Sequence, residues 1–193
     1  MPSKKYTTPI RTGRYFHLFN RGINHQTVFT CEEDKQVFLD KVKHYLHDYA
    51  EILSYCILDN HYHFLIRIKE SGPHSSCFSK QFGKLILSYT YYFNKKYDHQ
   101  GPIFHRRFKR LEVETDSYLM NLFWYIHANP MHHGLANDYR DYPYSSVNAY
   151  LNGISDNYVS IAEGIAHFGT IEKLRQYHFA RHDISTLRFL AME

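Results

Sequence analysis

The sequence predicts an α+β protein of ferredoxin-like or RRM-like type, with an antiparallel sheet, helices on one of its faces, and a small helical C-terminal extension. Three observations predict it. Apolar and aromatic residues alternate in short runs; elsewhere they recur at spacings of three and four; and the two kinds of run follow in the order strand, helix, strand, strand, helix, strand, helix. At 193 residues the chain has room for one substantial domain, expected over 1–150, and an extension over 151–193.

Residues 14–22, Arg-Tyr-Phe-His-Leu-Phe-Asn-Arg-Gly, read as the first strand, rich in aromatics and closed by Gly22. A Thr30-x-x-Glu33 capping box opens the first helix, which runs to about Tyr49 with Val37, Val42, Tyr45 and Leu46 at helical spacing. Residues 52–58 and 61–68 form two strands. Asp59-Asn60 between them is turn chemistry at hairpin length, so the pair is expected to be antiparallel. After a break at Ser71-Gly72-Pro73, Phe78, Phe82, Leu85, Tyr89 and Phe93 mark one face of a long helix that ends near Asp98. Residues 111–114 alternate as a fourth strand. Thr115 or Asp116 caps the next helix, whose stripe is Leu119, Leu122, Phe123 and Ile126 and which Pro130 stops or kinks. Short helices are expected at 161–166 and 171–174.

Composition narrows the function classes. No apolar run approaches the roughly 18 residues of a membrane span, and residues 1–9 lack the apolar core of a signal peptide. Cys31, Cys56 and Cys77 are odd in number and widely spaced, which argues against a disulfide framework or a zinc ribbon and fits a reducing cytoplasm. The net charge of +4 permits a polyanionic partner, and 18 Tyr, 14 Phe and 15 His could serve base stacking or an aromatic core equally well. There is no internal repeat.

The chemistry centres on Leu58-Asp59-Asn60-His61-Tyr62-His63-Phe64-Leu65-Ile66. Strand alternation puts His61 and His63 on one face and Tyr62, Phe64, Ile66 and Ile68 on the other. Two imidazoles side by side suit a divalent metal; they could also be polar residues on an open sheet face. Leu65 stands where a histidine-triad hydrolase needs its third His, and no Cys or His at short spacing offers a structural zinc site. The helix before Pro130 carries Tyr125 and Asn129 one turn apart, on a face distinct from its apolar stripe. A phenol nucleophile thus lies beside an amide oxygen able to ligate a hard cation. Tyr118 could play the same part as Tyr125, and Asn129 before Pro130 is also an ordinary helix end. Residues 104–110, Phe-His-Arg-Arg-Phe-Lys-Arg, are the densest basic stretch.

Together these motifs resemble a known family. Residues 55–66 resemble the HUH signature of single-tyrosine transposases, in which U is a bulky hydrophobic residue. The order of motifs over roughly 15–150 is similar to that of the bacterial REP-associated tyrosine transposases. Residues 16–22 match their first strand, 104–109 their basic loop, 125–130 their tyrosine motif and 141–146 the segment closing their core. Tyr62 replaces the usual aliphatic residue, and His105-Arg106 stand where the family commonly has Gln-Gly. The resemblance implies a metal-dependent endonuclease and strand transferase acting on single-stranded or hairpin DNA, as a monomer or homodimer. His61, His63 and Asn129 would hold Mg²⁺ or Mn²⁺, and Tyr125 would form a 5′-phosphotyrosine. Arg21, Arg106, Arg107, Lys109 and Arg110 are the candidates for phosphate contacts. The alternative is a non-catalytic, RRM-like module that binds single-stranded nucleic acid.

Overall fold

Tyr15–Arg21 forms β1, an inner strand of a four-stranded sheet in the computed structural model, which describes residues 8–71 and 77–180. The expected break at Gly72-Pro73 and the N-terminal reading over 1–7 lie outside the described residues. β2 (Ala50–Ile57), β3 (His61–Ile68) and β4 (Lys109–Val113) complete the sheet in the order β2-β3-β1-β4, every neighbour antiparallel. Helix α1 (Glu32–Leu46) joins β1 to β2, and α2 (Phe78–Tyr97) lies between β3 and β4. This is the ferredoxin-like order expected from the sequence. The β2–β3 turn closes through Leu58 N donating to His61 O at 2.9 Å.

Alternation along β3 gives the sheet two buried faces. Tyr62, Phe64, Ile66 and Ile68 meet Phe16, Leu18, Phe38, Val42 and Phe82 in one core, beneath α1 and α2. Leu65 faces the other way, into a second core with Leu53, Cys56, Leu122, Phe123 and Trp124. Leu53 reaches that core from a bulge in β2 between Ile52 and Ser54. The third helix, α3 (Asp116–His132), therefore packs on the face opposite α1 and α2, and the one-faced arrangement is corrected. Its own sequence explains this. Residues 122–130 of α3 are buried without exception, and a helix apolar all round needs partners all round. The sheet supplies one side; α4 (Val147–Leu151), α5 (Ile161–Ala166) and α6 (Ile171–Phe179) supply the others through Tyr150, Ile165 and Leu174, with Phe168 just beyond α5.

Three local expectations also change. The cap of α1 is Cys31, with Asp34 rather than Glu33 reaching back: its carboxylate accepts from Thr30 N at 2.7 Å and Cys31 N at 3.2 Å. Asp34 wins because its other oxygen is held by Lys96 and Tyr92 on α2. The buried stripe of α1 is Phe38, Leu39, Val42 and Leu46; Val37 and Tyr45 are only partly buried. Pro130 does not end α3, which runs on to His132, with His133 N donating to Asn129 O at 3.1 Å.

The C-terminal helices are tied to the sheet. α4 spans residue 150, where the expected division falls, and α6 is anchored by a buried chain of hydrogen bonds. The Leu174 carbonyl can only accept, so His178 donates to it from Nδ1 (3.0 Å) and offers Nε2 as an acceptor. His127 then donates from Nδ1 across 2.9 Å, and Ser146 Oγ donates to His127 Nε2 across 2.8 Å. These directions hold with both imidazoles neutral, the state that their burial favours. Burial pushes His178 down to about 4 and His127 well below the usual imidazole range. Residues 144–146 lie along the outer edge of β2, with Ile57 N donating to Tyr144 O at 2.9 Å and Ser146 N to Tyr55 O at 3.1 Å. Among the described residues no helix is long and apolar enough to cross a membrane, and Cys31, Cys56 and Cys77 form no disulfide.

Candidate functional site

His61 and His63 sit on the α3 face of β3, as alternation predicts, with ring centroids 5.2 Å apart and planes nearly perpendicular. Both are buried. Each has a neighbour on its Nδ1 side. Asn60 Oδ1 lies 2.6 Å from His61 Nδ1, and His17 Nε2 lies 3.0 Å from His63 Nδ1. His17 comes from β1, where the register sets Phe19 opposite His63 and so places His17 diagonally across from it. His17, Phe19 and His63 form a stack, with centroids 4.6 Å apart for His17–Phe19 and 5.2 Å for His17–His63.

α3 brings the predicted tyrosine to this face. The Tyr125 ring meets His63 edge-on at 6.0 Å and His132 at 5.2 Å, while His133, just past the helix end, meets His61 at 4.5 Å. Tyr125 is only 3% exposed. Tyr118 is seven residues earlier in the same helix, about 10 Å along its axis. It is therefore Tyr125 that is the partner of His63.

Asn129, fully buried, donates from Nδ2 to the Tyr125 carbonyl at 3.0 Å. That bond fixes which end of the amide is oxygen, and the buried Oδ1 has no hydrogen-bond partner among the described residues. A buried acceptor without a donor is costly, and a cation relieves it. No three His, Cys, Asp or Glu side chains converge as a metal site among the described residues. The donor set expected from the sequence, two imidazoles and this amide oxygen, is one compatible with Mn²⁺ or Mg²⁺.

Beside the histidines opens a cleft of about 690 Å³. His61, His63, Phe19 and Asn20 line its floor; Arg21, His25, His105, Arg106, Arg107 and Lys109 line its walls. Among the described residues no acidic side chain contributes to that lining. The basic loop is held there by the end of β1. His105 N donates to Arg21 O at 3.1 Å, Ile23 N to Ile103 O at 2.9 Å, and Asn20 Nδ2 to His105 O at 3.0 Å. Lys109 Nζ sits 5.3 Å over the Phe19 ring, which leaves an aromatic surface under a cation at the cleft floor.

Four of the five predicted basic residues thus share the cleft. Arg110 does not. It pairs with Leu18, on the α1–α2 face, while Lys109 pairs with Phe19 on the histidine face. Its guanidinium stacks over Phe108 and donates to Thr8 O at 2.6 Å. His17, Asn60, His132 and His133 escape the sequence reading. For His17 a signal existed: it alternates onto the same face of β1 as Phe19, and β1 is the neighbour of the His-x-His strand in a ferredoxin-like sheet.

No family model matches the chain. A curated protein of Haemophilus influenzae, described as a REP-associated tyrosine transposase, is 31% identical over 133 residues, an alignment covering 57% of this chain and 75% of the relative. Among solved structures, a REP-associated tyrosine transposase bound to a REP hairpin superposes with a TM-score of 0.62 at 18% identity, covering 81% of this chain and 91% of the other. At that identity the superposition speaks for a shared fold.

Proposed function

Because the chain belongs to the REP-associated tyrosine transposase family, we propose that it nicks and rejoins hairpin-associated single-stranded DNA through a covalent tyrosine intermediate. The observation that carries this reading is the edge of Tyr125 against His63, beside a cleft walled by basic side chains.

In this reading the Tyr125 oxygen attacks the scissile phosphorus. A tyrosine–phosphorus bond forms, the bond to the 3′ oxygen breaks, and the strand leaves with a free 3′-hydroxyl while its partner end stays as a 5′-phosphotyrosine. Attack by a 3′-hydroxyl reverses the step and releases the phenol. Arg21, Arg106, Arg107 and Lys109 hold the backbone phosphates and fix the strand's position without reading its sequence. The Phe19 ring offers a surface for one base. His61, His63 and Asn129 are the residues that would hold Mg²⁺ or Mn²⁺, and such an ion polarises the phosphate and offsets its developing charge. Tyr125 and His63 meet within one chain, so the reading needs no second subunit. The reducing cytoplasm is the setting that suits three cysteines outside any disulfide.

The test is to incubate the protein and labelled hairpin single strands with Mn²⁺ or Mg²⁺ and resolve the mixture on a denaturing gel. A labelled protein adduct that Tyr125→Phe abolishes is the expected result. An adduct persisting in Tyr125→Phe removes that tyrosine from the role and turns attention to Tyr118. Binding that survives chelation, with no adduct across a panel of hairpins, makes the protein a binding module instead.

A further inference from the structure

We infer that Asn60 is a positioning residue that selects the tautomer of His61, taking its instruction from the backbone of the cleft wall. The inference follows from the polarity of consecutive hydrogen bonds. The His25 carbonyl lies 3.2 Å from Asn60 Nδ2 and can only accept, so the amide must turn its NH₂ toward His25. Asn60 Oδ1 is then fixed on the other side, 2.6 Å from His61 Nδ1. An amide oxygen cannot donate. His61 must therefore carry its proton on Nδ1, which puts the lone pair on Nε2.

What holds the His25 carbonyl in that position is a strained turn. Asn24 and His25 have φ of 54° and 58°, a left-handed pair with no glycine in it. The hairpin tip between β2 and β3 grips this turn from beneath: Gly22 N donates to Asn60 O at 2.8 Å, and Val28 N and Phe29 N both donate to Asp59 O at 2.9 Å. The same turn sets His25 beside Arg21 on the cleft wall, with Nδ1 3.5 Å from the guanidinium. One side chain thus links the wall that meets phosphate to the orientation of an imidazole on the floor. His61 itself is only 3% exposed, and its bond to Asn60 is partly buried.

The consequence for metal affinity rests on the reading above; the consequence for the tautomer does not. Long-range ¹H–¹⁵N correlation spectra of the metal-free protein, taken where His61 is neutral, read the tautomer directly. Wild type is expected to show Nδ1–H at His61, and Asn60→Ala to populate Nε2–H. Asn60→Asp keeps an acceptor and should keep Nδ1–H, while its lost donor to His25 O raises amide hydrogen exchange across residues 23–26. In parallel, Mn²⁺ titration followed by electron paramagnetic resonance should show affinity lowered about 10- to 100-fold in Asn60→Ala, with most of it regained in Asn60→Asp. His61 on Nε2–H in wild type overturns the inference, as does an Asn60→Asp variant whose tautomer matches Asn60→Ala. Nδ1–H in wild type with no Mn²⁺ binding leaves the role of Asn60 standing and removes the metal reading instead.

Discussion

Lowering the pH should loosen the C-terminal helices before it harms the sheet, and His178 gives the size of the effect. Its folded-state value is about 4 against an ordinary 6.5, and desolvation is the cause. Between those values the unfolded chain binds a proton that the folded chain refuses, so stability is full above about pH 6.5 and is lost as pH falls toward 4. At about 1.4 kcal/mol per pH unit, the loss from this one residue is about 3 kcal/mol. Protonation also sets two N–H groups against each other between His178 and His127, because Nε2 of His178 is the acceptor in that bond. The comparison to make is with His178→Leu, which has no proton to gain. Near neutrality that variant leaves the His127 Nδ1 donor buried without an acceptor and should be less stable by about 1–3 kcal/mol. As pH drops to about 4.5 the gap should close, since only wild type gives up the His178 contribution. Urea unfolding followed by the fluorescence of the single Trp, Trp124, buried in α3 beside this network, measures both proteins at each pH. A gap that stays constant from neutral pH to about 4.5 would refute the reasoning, because His178 would then titrate alike in the folded and unfolded chains.

Other perturbations follow from the same geometry. Replacing Arg106 and Arg107 together by Ala should weaken hairpin binding across all sequences and reduce the salt slope by about 2. Arg110→Ala, on the opposite face, should change that slope far less; fluorescence anisotropy over a salt series compares them. Gly164→Ala should destabilise by about 1–3 kcal/mol, because the new methyl would meet the Tyr150 hydroxyl, itself held to Leu53 O at 2.5 Å, and a melting curve reads the loss. Phe38→Ala opens the core beneath α1 and should cost about 3–5 kcal/mol by urea unfolding, with the histidine face unchanged by NMR shifts.

The parts of this fold visible in the sequence are those whose signal is local. β3 was readable to its end residues because alternation and an Asp-Asn turn both mark it, and α2 because five aromatic or aliphatic residues fall on one stripe. α3 was harder. A stripe at Leu119, Leu122 and Ile126 implies an open face elsewhere, yet a helix buried throughout 122–130 has none, and no pattern within it tells which neighbours will cover it. The cap at Cys31 was passed over because cysteine is not among the usual capping residues, and the choice of Asp34 depends on Lys96 and Tyr92 some 60 residues away in sequence. In the candidate site, His61, His63, Tyr125 and Asn129 carried a spacing signal within one strand and one turn. His17 and Asn60 act through register and hydrogen-bond polarity, which exist only once β1 and the hairpin tip are in place. The side taken by Arg110 was available from strand alternation, but in a basic run charge draws the eye before parity does.

Residues 144–146 shield the outer edge of β2, so among the described residues the sheet keeps one open border, β4. Five residues long and carrying Lys109, Arg110 and Glu112, β4 is a poor template for a strand from another molecule. A protein this rich in tyrosine and phenylalanine is at risk of sheet-to-sheet growth while it folds. Here the chain closes one border with its own backbone and leaves the other short and charged, which disfavours strand addition at either border.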